Sequence, residues 1–253
     1  MYKFVSLTVS ILALTTLLAQ NTFFTKDNSV GSKKEKALIQ TRNANSILVK
    51  QDVLLNFLKT VPYGINDQFL LHLPTPEGQT IAFKIGRNQT MTAELANKYT
   101  DIITLDGVSV DGRNLSAKLD ITPKGFHAFV YGPNQPSYFI DPAFNSNASQ
   151  HLVYYKSDFI SSKSIDCHEL STPDVDNKKD VPVKMYGSCE LRTYRLALSA
   201  TGEYTQFHGG TKPLALSAQV TTINRVNGIY ERDMAVTFTI IPNNDQIIYT
   251  NTL

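Results

Sequence analysis

One pattern recurs between residues 67 and 155: short runs that mix apolar and polar residues, with glycine, proline or Asp-Gly between them. Pro74, Pro76 and Gly78 separate the first two runs, which predicts a hairpin. Closely spaced strands with turn residues between them predict a mostly antiparallel β domain over residues 46–160. The predicted strands are 67–73, 80–85, 102–110, 115–121, 125–130, 138–140 and 151–155.

One helix interrupts these strands. Residues 90–99 place Met91, Leu95 and Tyr99 at helical spacing, and Thr90 or Thr92 is suited to cap the N-terminus. The domain is therefore predicted to be mostly β with a short helix.

The pattern changes after residue 188. Residues 189–203 alternate, and apolar residues on both sides near Leu196 and Leu198 predict a strand buried on both faces. Pro213 suits the first turn of a helix, and residues 235–241 form a β-branched and aromatic run. The segment 188–253 is therefore predicted to be an incomplete βαβ unit with parallel strands, which makes the chain α+β. The helix stripe is Leu216, Val220, Ile223, Asn227, Tyr230 and Met234.

The N-terminus predicts export. Lys3 precedes an uncharged apolar run from Phe4 to Ala19, and Ala19 is a small residue at which a signal peptidase could cut. Residues 1–19 are thus predicted to be a signal peptide, with an uncleaved anchor as the alternative, and the protein is expected to be secreted or at the cell surface. Residues 20–45 are polar and are predicted to be a linker. No later segment is apolar enough to span a membrane.

The balance of charge argues against two classes of partner. The chain has 24 basic and 22 acidic residues, and its composition is 42% hydrophobic. This balance does not favour nucleic acid or an anionic membrane surface, whereas the apolar content is sufficient for a packed core.

Residues 161–187 are rich in Ser, Asp, Asn, Lys and Pro, and they predict an exposed linker. Lys178-Lys179 within it is a candidate processing site, because proteases act on exposed polar loops. Two ordinary surface lysines are an equally good interpretation of the dipeptide.

No complete catalytic motif is present. His168-Glu169 begins like the zinc-binding helix H-E-x-x-H, but Thr172 occupies the position of the second histidine and Pro173 follows. The other histidines, His72, His127, His151 and His208, have no ligand spacing among them. The sequence also lacks a nucleophile elbow, a phosphate-binding glycine loop and a C-x-x-C pair.

Several stretches resemble a known family. Residues 71–78 (LHLPTPEG), 91–99 (MTAELANKY), 121–128 (ITPKGFHA) and 138–142 (YFIDP) resemble, in order, the pro-region of bacterial reprolysin-like metalloproteases. Residues 189–204 (CELRTYRLALSATGEY) resemble the first strand of their catalytic domain, and residues 223–233 (INRVNGIYERD) fit the following helix.

The resemblance implies a metzincin fold, a protein or peptide substrate, and a zinc ion bound by H-E-x-x-H-x-x-G-x-x-H, whose Glu acts as general base. None of these residues is present here, so no catalytic or zinc residue transfers and this chain alone is expected to bind no zinc. The chain is expected to be the N-terminal part of a secreted zinc metalloendopeptidase zymogen and inactive by itself. The alternative is a non-catalytic exported β-domain protein that binds or inhibits a partner.

The two cysteines, Cys167 and Cys189, leave three alternatives open. A disulfide between them would close a loop of about 22 residues and contribute about 3 kcal/mol. The resemblance implies a second role, because in related metzincins a pro-region thiolate can occupy the open zinc position, and Cys167 is placed to do so. The third alternative is that the two cysteines are unpaired or pair with other sequence.

Overall fold

The computed structural model describes residues 23–27, 37–145, 147–161 and 190–251. Two groups of elements are present in these ranges. The first group is an antiparallel sheet with its helices, and the second is a smaller unit formed by the residues after 190.

The sheet contains nine strands in the described part of the chain, and every pairing in it is antiparallel. Its order is β1-β2-β9-β8-β7-β6-β5-β4-β3. The strands are β1 Phe24–Lys26, β2 Asn45–Val49, β3 Asn66–Pro74, β4 Thr80–Arg87, β5 Ile103–Ser109, β6 Ser116–Thr122, β7 Gly125–Gly132, β8 Gln135–Pro142 and β9 Gln150–Tyr155.

Two helices accompany the sheet. Helix α1 spans Gln51–Leu58 and buries Leu54 and Leu58 in the apolar core that the sheet forms on one face. Helix α2 spans Ala93–Lys98, between β4 and β5. A 3-10 helix, Lys156–Asp158, follows β9.

Successive side chains of a strand point to opposite faces, and in β6 one face is apolar and the other is polar. Ala117, Leu119 and Ile121 belong to the apolar core with α1. Lys118 and Asp120 lie between them and so face the other side, yet they are only 2% and 1% exposed. Something other than water therefore covers the polar face of the sheet.

The second unit provides that cover. It comprises β10 Arg192–Leu196, α3 Gly202–Phe207, α4 Lys212–Met234, β11 Val236–Ile240 and a 3-10 helix, Asn244–Ile247. Strands β10 and β11 pair in parallel, from Arg192 opposite Val236 to Leu196 opposite Ile240. Helix α4 crosses between them and packs on β6.

Most of the sequence-based assignments are confirmed: the antiparallel strands, the β3–β4 hairpin, helix α2 and the parallel βαβ unit. Two assignments in the second unit were wrong. β10 is exposed from Arg192 to Arg195, because β11 is its only neighbour among the described residues. The alternating pattern over residues 189–203 is also not one strand: β10 ends at Leu196, and Gly202 begins helix α3, which Thr201 caps by accepting from the Tyr204 N–H.

Two elements were not predicted. Phe24–Lys26, inside the predicted linker 20–45, pairs with β2. Helix α1 was also missed, because a short apolar run does not by itself distinguish a helix from a strand.

Candidate functional site

The candidate site is the interface between the polar face of the sheet and helix α4. The helix buries two faces. Leu216, Val220 and Ile223 pack in the core of the second unit. A second stripe, at spacings of three and four residues, faces the sheet. It consists of Thr221, Asn224, Arg225, Gly228 and Glu231, and we refer to it as the polar face of α4.

Gly228 sets how closely the helix approaches the sheet. A Cβ atom at this position would lie 2.9 Å from Lys118 Cγ and 3.1 Å from Tyr131 Cε1. Both distances are shorter than an ordinary van der Waals contact, so a residue without a side chain is required here.

Asn224 is fully buried and uses both ends of its amide. Its Nδ2 donates to the Leu119 carbonyl oxygen at 2.8 Å. Its Oδ1 accepts from Asn88 Nδ2 at 2.9 Å and from Thr90 Oγ1 at 3.2 Å. One side chain of α4 thus satisfies polar groups from β6 and from the segment after β4.

Lys118 carries a charge into the interface. Its Nζ lies 2.7 Å from Asp106 on β5 and 2.6 Å from Glu231 on α4. Glu231 also accepts from Thr237 Oγ1, which links the pair to β11. A buried cation with two carboxylates is compensated, whereas the same cation without them would be costly.

Two further carboxylates complete the interface. Asp120 accepts from Thr221 at 2.6 Å, and its Oδ2 lies 3.0 Å from His127 Nδ1. Asp141 forms an ion pair with Arg225 and accepts from Tyr154 at 2.7 Å. Burial works to lower the pKa of Arg225, but Asp141 and Asp120 more than offset it and hold the pKa above its usual value.

A second contact joins the two units at α2. Thr90 O accepts from the Ile240 N–H at 2.8 Å, and the Thr92 N–H donates to Ile240 O at 3.2 Å, so this segment lies beside β11 like an added strand. Met91, Leu95 and Ile102 fill the apolar core of the second unit. Lys98 pairs with Asp245, and this lowers the pKa of Asp245.

The predicted site residues lie outside the described residues: Ala19, Cys167, Lys178, Lys179 and Cys189. His168 and Glu169, which the sequence excludes as a zinc-binding helix, lie outside them too. The disulfide, the zinc switch and the processing sites therefore stay predictions. Of the histidines that the structure describes, His151 is fully buried and His127 lies beside Asp120. Across residues 23–27, 37–145, 147–161 and 190–251, no group of three His, Cys, Asp or Glu side chains could hold a metal ion.

None of the described helices combines the length and the apolar content that a membrane span needs. The interface itself was missed by sequence reasoning. Its signals are a lysine and an aspartate between apolar residues of β6, and an Asn/Gly stripe on α4 that matches no core pattern.

Comparison with protein families gives one match. Residues 190–253 match the model of the metallo-peptidase family M12B, reprolysin-like. A search of curated proteins gives no match. The match covers the second unit, and it includes β10, α3, α4 and β11.

Proposed function

Because residues 190–253 are reprolysin-like, we propose that this chain is the N-terminal part of a secreted zinc metalloendopeptidase zymogen. In this proposal residues 1–19 are the signal peptide and residues 46–160 are the pro-region. Residues 161–187 are the exposed linker, and residues 188–253 begin the catalytic domain.

The observation that carries the proposal is the chemistry of the polar face of α4. The core of a permanently joined fold is mainly apolar, whereas interfaces that form and separate are more polar. Asn224, Arg225 and Glu231 are each paired with the sheet, and each is a side chain that water would also solvate. This face therefore suits a helix that the sheet covers in the precursor and that tolerates water once the sheet leaves.

Zinc belongs to the proposal through the family and not through the described residues. M12B peptidases depend on zinc, but the described side chains supply no ligand set for it. No step of peptide hydrolysis is assigned to this chain. Its residues hold the catalytic segment against the sheet, and we expect the pure chain with added zinc to cleave no protein substrate.

Sequencing of the genomic locus beyond Leu253 tests the proposal. We expect an in-frame H-E-x-x-H-x-x-G-x-x-H further along. A stop codon followed by unrelated sequence would overturn it and favour the alternative, an exported non-catalytic binding or inhibitory protein. Chelator-sensitive cleavage by the pure chain would contradict the expected inactivity.

Export and processing are tested separately. N-terminal sequencing of the exported protein is expected to begin at Gln20, after Ala19. Retention of Met1 in a membrane fraction would instead support the uncleaved anchor. Cleavage after Lys178 or Lys179, detected by mass spectrometry, would identify the activation site.

A further inference from the structure

A groove of about 960 Å³ lies where the sheet meets helices α3 and α4. Phe139 and Tyr154 contribute to its wall on the sheet, and Leu214 and Ala218 to its wall on α4. This volume is at the upper end of the range for small-molecule sites, which runs from about 300 to 1,000 Å³.

Large apolar side chains are exposed around this groove. Leu38 is 46% exposed, Phe159 48% and Phe207 80%, and all three line it. Single exposed apolar residues are ordinary, but several that surround one concave surface mark a binding site.

Two lysines that line the groove, Lys124 and Lys156, form no ion pair with the described carboxylates, and Lys124 is the less exposed of the two. Lys124 is half-buried, and within the described part of the chain its Nζ forms hydrogen bonds only with His208, at 3.2 Å from the carbonyl oxygen and 3.4 Å from Nδ1. Among the described residues no carboxylate lies within 4.0 Å of this ammonium group. Arg225, which also lines the groove, is by contrast already paired with Asp141.

The partial burial of Lys124 disfavours its charged form, and a bound anion would offset this cost. Burial lowers the pKa of Lys124, and burial together with Lys124 lowers the pKa of His208. A carboxylate beside the ammonium group would compensate for its desolvation, and would do so more strongly than in water.

We propose that this groove binds an amphiphilic monocarboxylate, with the carboxylate on Lys124 and the apolar body along Phe139 and Phe207. An anionic headgroup matches Lys124, for which the described residues provide no carboxylate, and an apolar body matches the aromatic walls. The proposal does not rest on the peptidase function.

The position of the groove has a further consequence. Lys124 and Phe139 belong to the sheet unit, whereas Phe207 and Leu214 belong to the reprolysin-like unit. A ligand that needs both walls binds only the docked form, and by linkage it stabilises that form.

The chain has no tryptophan, so Phe207→Trp places a single indole at the groove. The test is a fluorescence titration of this full-length variant with decanoate, below its micelle concentration, and with uncharged decanamide. We expect a saturable change with decanoate, and binding weaker by about tenfold or more for decanamide and after adding Lys124→Gln. The control is Lys50→Gln, an exposed lysine outside the groove, which should leave the titration unchanged.

Two outcomes would overturn the proposal. One is the absence of a saturable change with decanoate, while circular dichroism shows the variant to be folded. The other is equal binding of decanamide, or equal binding after Lys124→Gln, since either would show that the charge pair plays no part. A rise in the thermal midpoint with decanoate, lost in Lys124→Gln, is the independent second readout.

Discussion

The ammonium group of Lys118 on β6 lies 2.6 Å from the Glu231 carboxylate on helix α4, and the Lys118 side chain is only 2% exposed. This pair crosses from the antiparallel sheet to the reprolysin-like unit. It shows that the two units share a buried, charged interface and do not merely lie side by side.

Removing the acidic partner of this pair should destabilise the docked form. We expect Glu231→Gln to lower the free energy of unfolding by about 2 kcal/mol, because Lys118 would keep only Asp106 as a counter-ion. Urea unfolding monitored by circular dichroism measures this. Asp233→Asn breaks an exposed pair with Arg232 on the same helix and should leave the unfolding midpoint unchanged. An equal effect of the two variants would contradict the importance of the buried pair.

Gly228→Ala distinguishes helix propensity from close packing, because the two predict changes of opposite sign in the free energy of unfolding. If helix propensity dominated, alanine would stabilise α4 by about 1 kcal/mol. We expect instead a loss of about 1–3 kcal/mol, because the new Cβ would meet Lys118 Cγ at 2.9 Å. Urea unfolding decides the sign. Ile229→Ala, at the next and 40% exposed position, is the matched control and should change stability little.

Asn224→Leu should be among the most damaging changes at the interface. Leucine has a similar volume but makes none of the three hydrogen bonds, and it leaves the Leu119 carbonyl without this donor. We expect a loss of about 2–4 kcal/mol in the free energy of unfolding. Thr222→Ala is the control, since Thr222 is exposed and donates to Ala218 O within its own helix. A loss below that of the control would refute the role of Asn224.

Leu95→Ala tests the contact at α2. Leu95 is fully buried in the core of the reprolysin-like unit, although it belongs to the sheet unit. We expect a loss of about 2–5 kcal/mol, as is usual for deletion of a buried leucine. Hydrogen exchange should rise at the Ile240 amide, which donates to Thr90, while β6 and β7 stay protected. Leu70→Ala, at a 36% exposed position on β3, should not change the exchange at Ile240.

Stability should fall in mild acid because of His151. Burial lowers the pKa of this residue to about 4 from its ordinary 6.5. Its Nε2 accepts from the Phe126 N–H at 3.2 Å, so the proton lies on Nδ1, 3.2 Å from Ser149 O. Above pH 6.5 the residue is neutral in both states. Between 6.5 and about 4 only the unfolded chain binds a proton, so stability falls by up to about 3 kcal/mol.

Urea unfolding at a series of pH values from 7 to 4 checks this expectation. Asp245, which is paired with Lys98, also makes stability depend on pH. Its pKa is below the ordinary 3.8, so the stability that it contributes is lost only below about pH 3.8. His151→Gln should reduce the slope of the profile between pH 6.5 and 4, and the slope that remains is expected from His208, whose pKa is also lowered. An unchanged slope in this variant would assign the pH dependence to other groups.

Much of the secondary structure follows from local pattern. The turn residues Pro74, Pro76 and Gly78 determined the β3–β4 hairpin, and Pro213 with the following apolar stripe determined α4. These features act over a few residues, so the sequence carries them directly. By contrast, the local pattern did not predict β1, since three residues of ordinary composition become a strand only by pairing with β2.

The interface between the sheet and α4 could not be predicted, although the identity of each of its residues is known from the sequence. In β6, the polar residues Lys118 and Asp120 alternate with apolar ones, and this pattern by itself predicts that their face of the strand is exposed to water. Alternation shows only that the two faces of a strand differ, and it does not show what covers either face. In α4, Asn224 and Gly228 disfavour a helix interior and suggest no partner. Only the docking of α4 on β6 shows that each of these residues completes another.

The sequence by itself therefore determined an α+β chain whose last residues are reprolysin-like, because strand alternation, turn chemistry and family motifs are local properties. Only the tertiary structure decided that the polar face of the sheet is covered, that Lys118 is paired with Glu231, and that no carboxylate of the described ranges pairs with Lys124. The physical reason is that burial and charge pairing depend on which surfaces meet, and residues more than 100 positions apart meet here through packing alone.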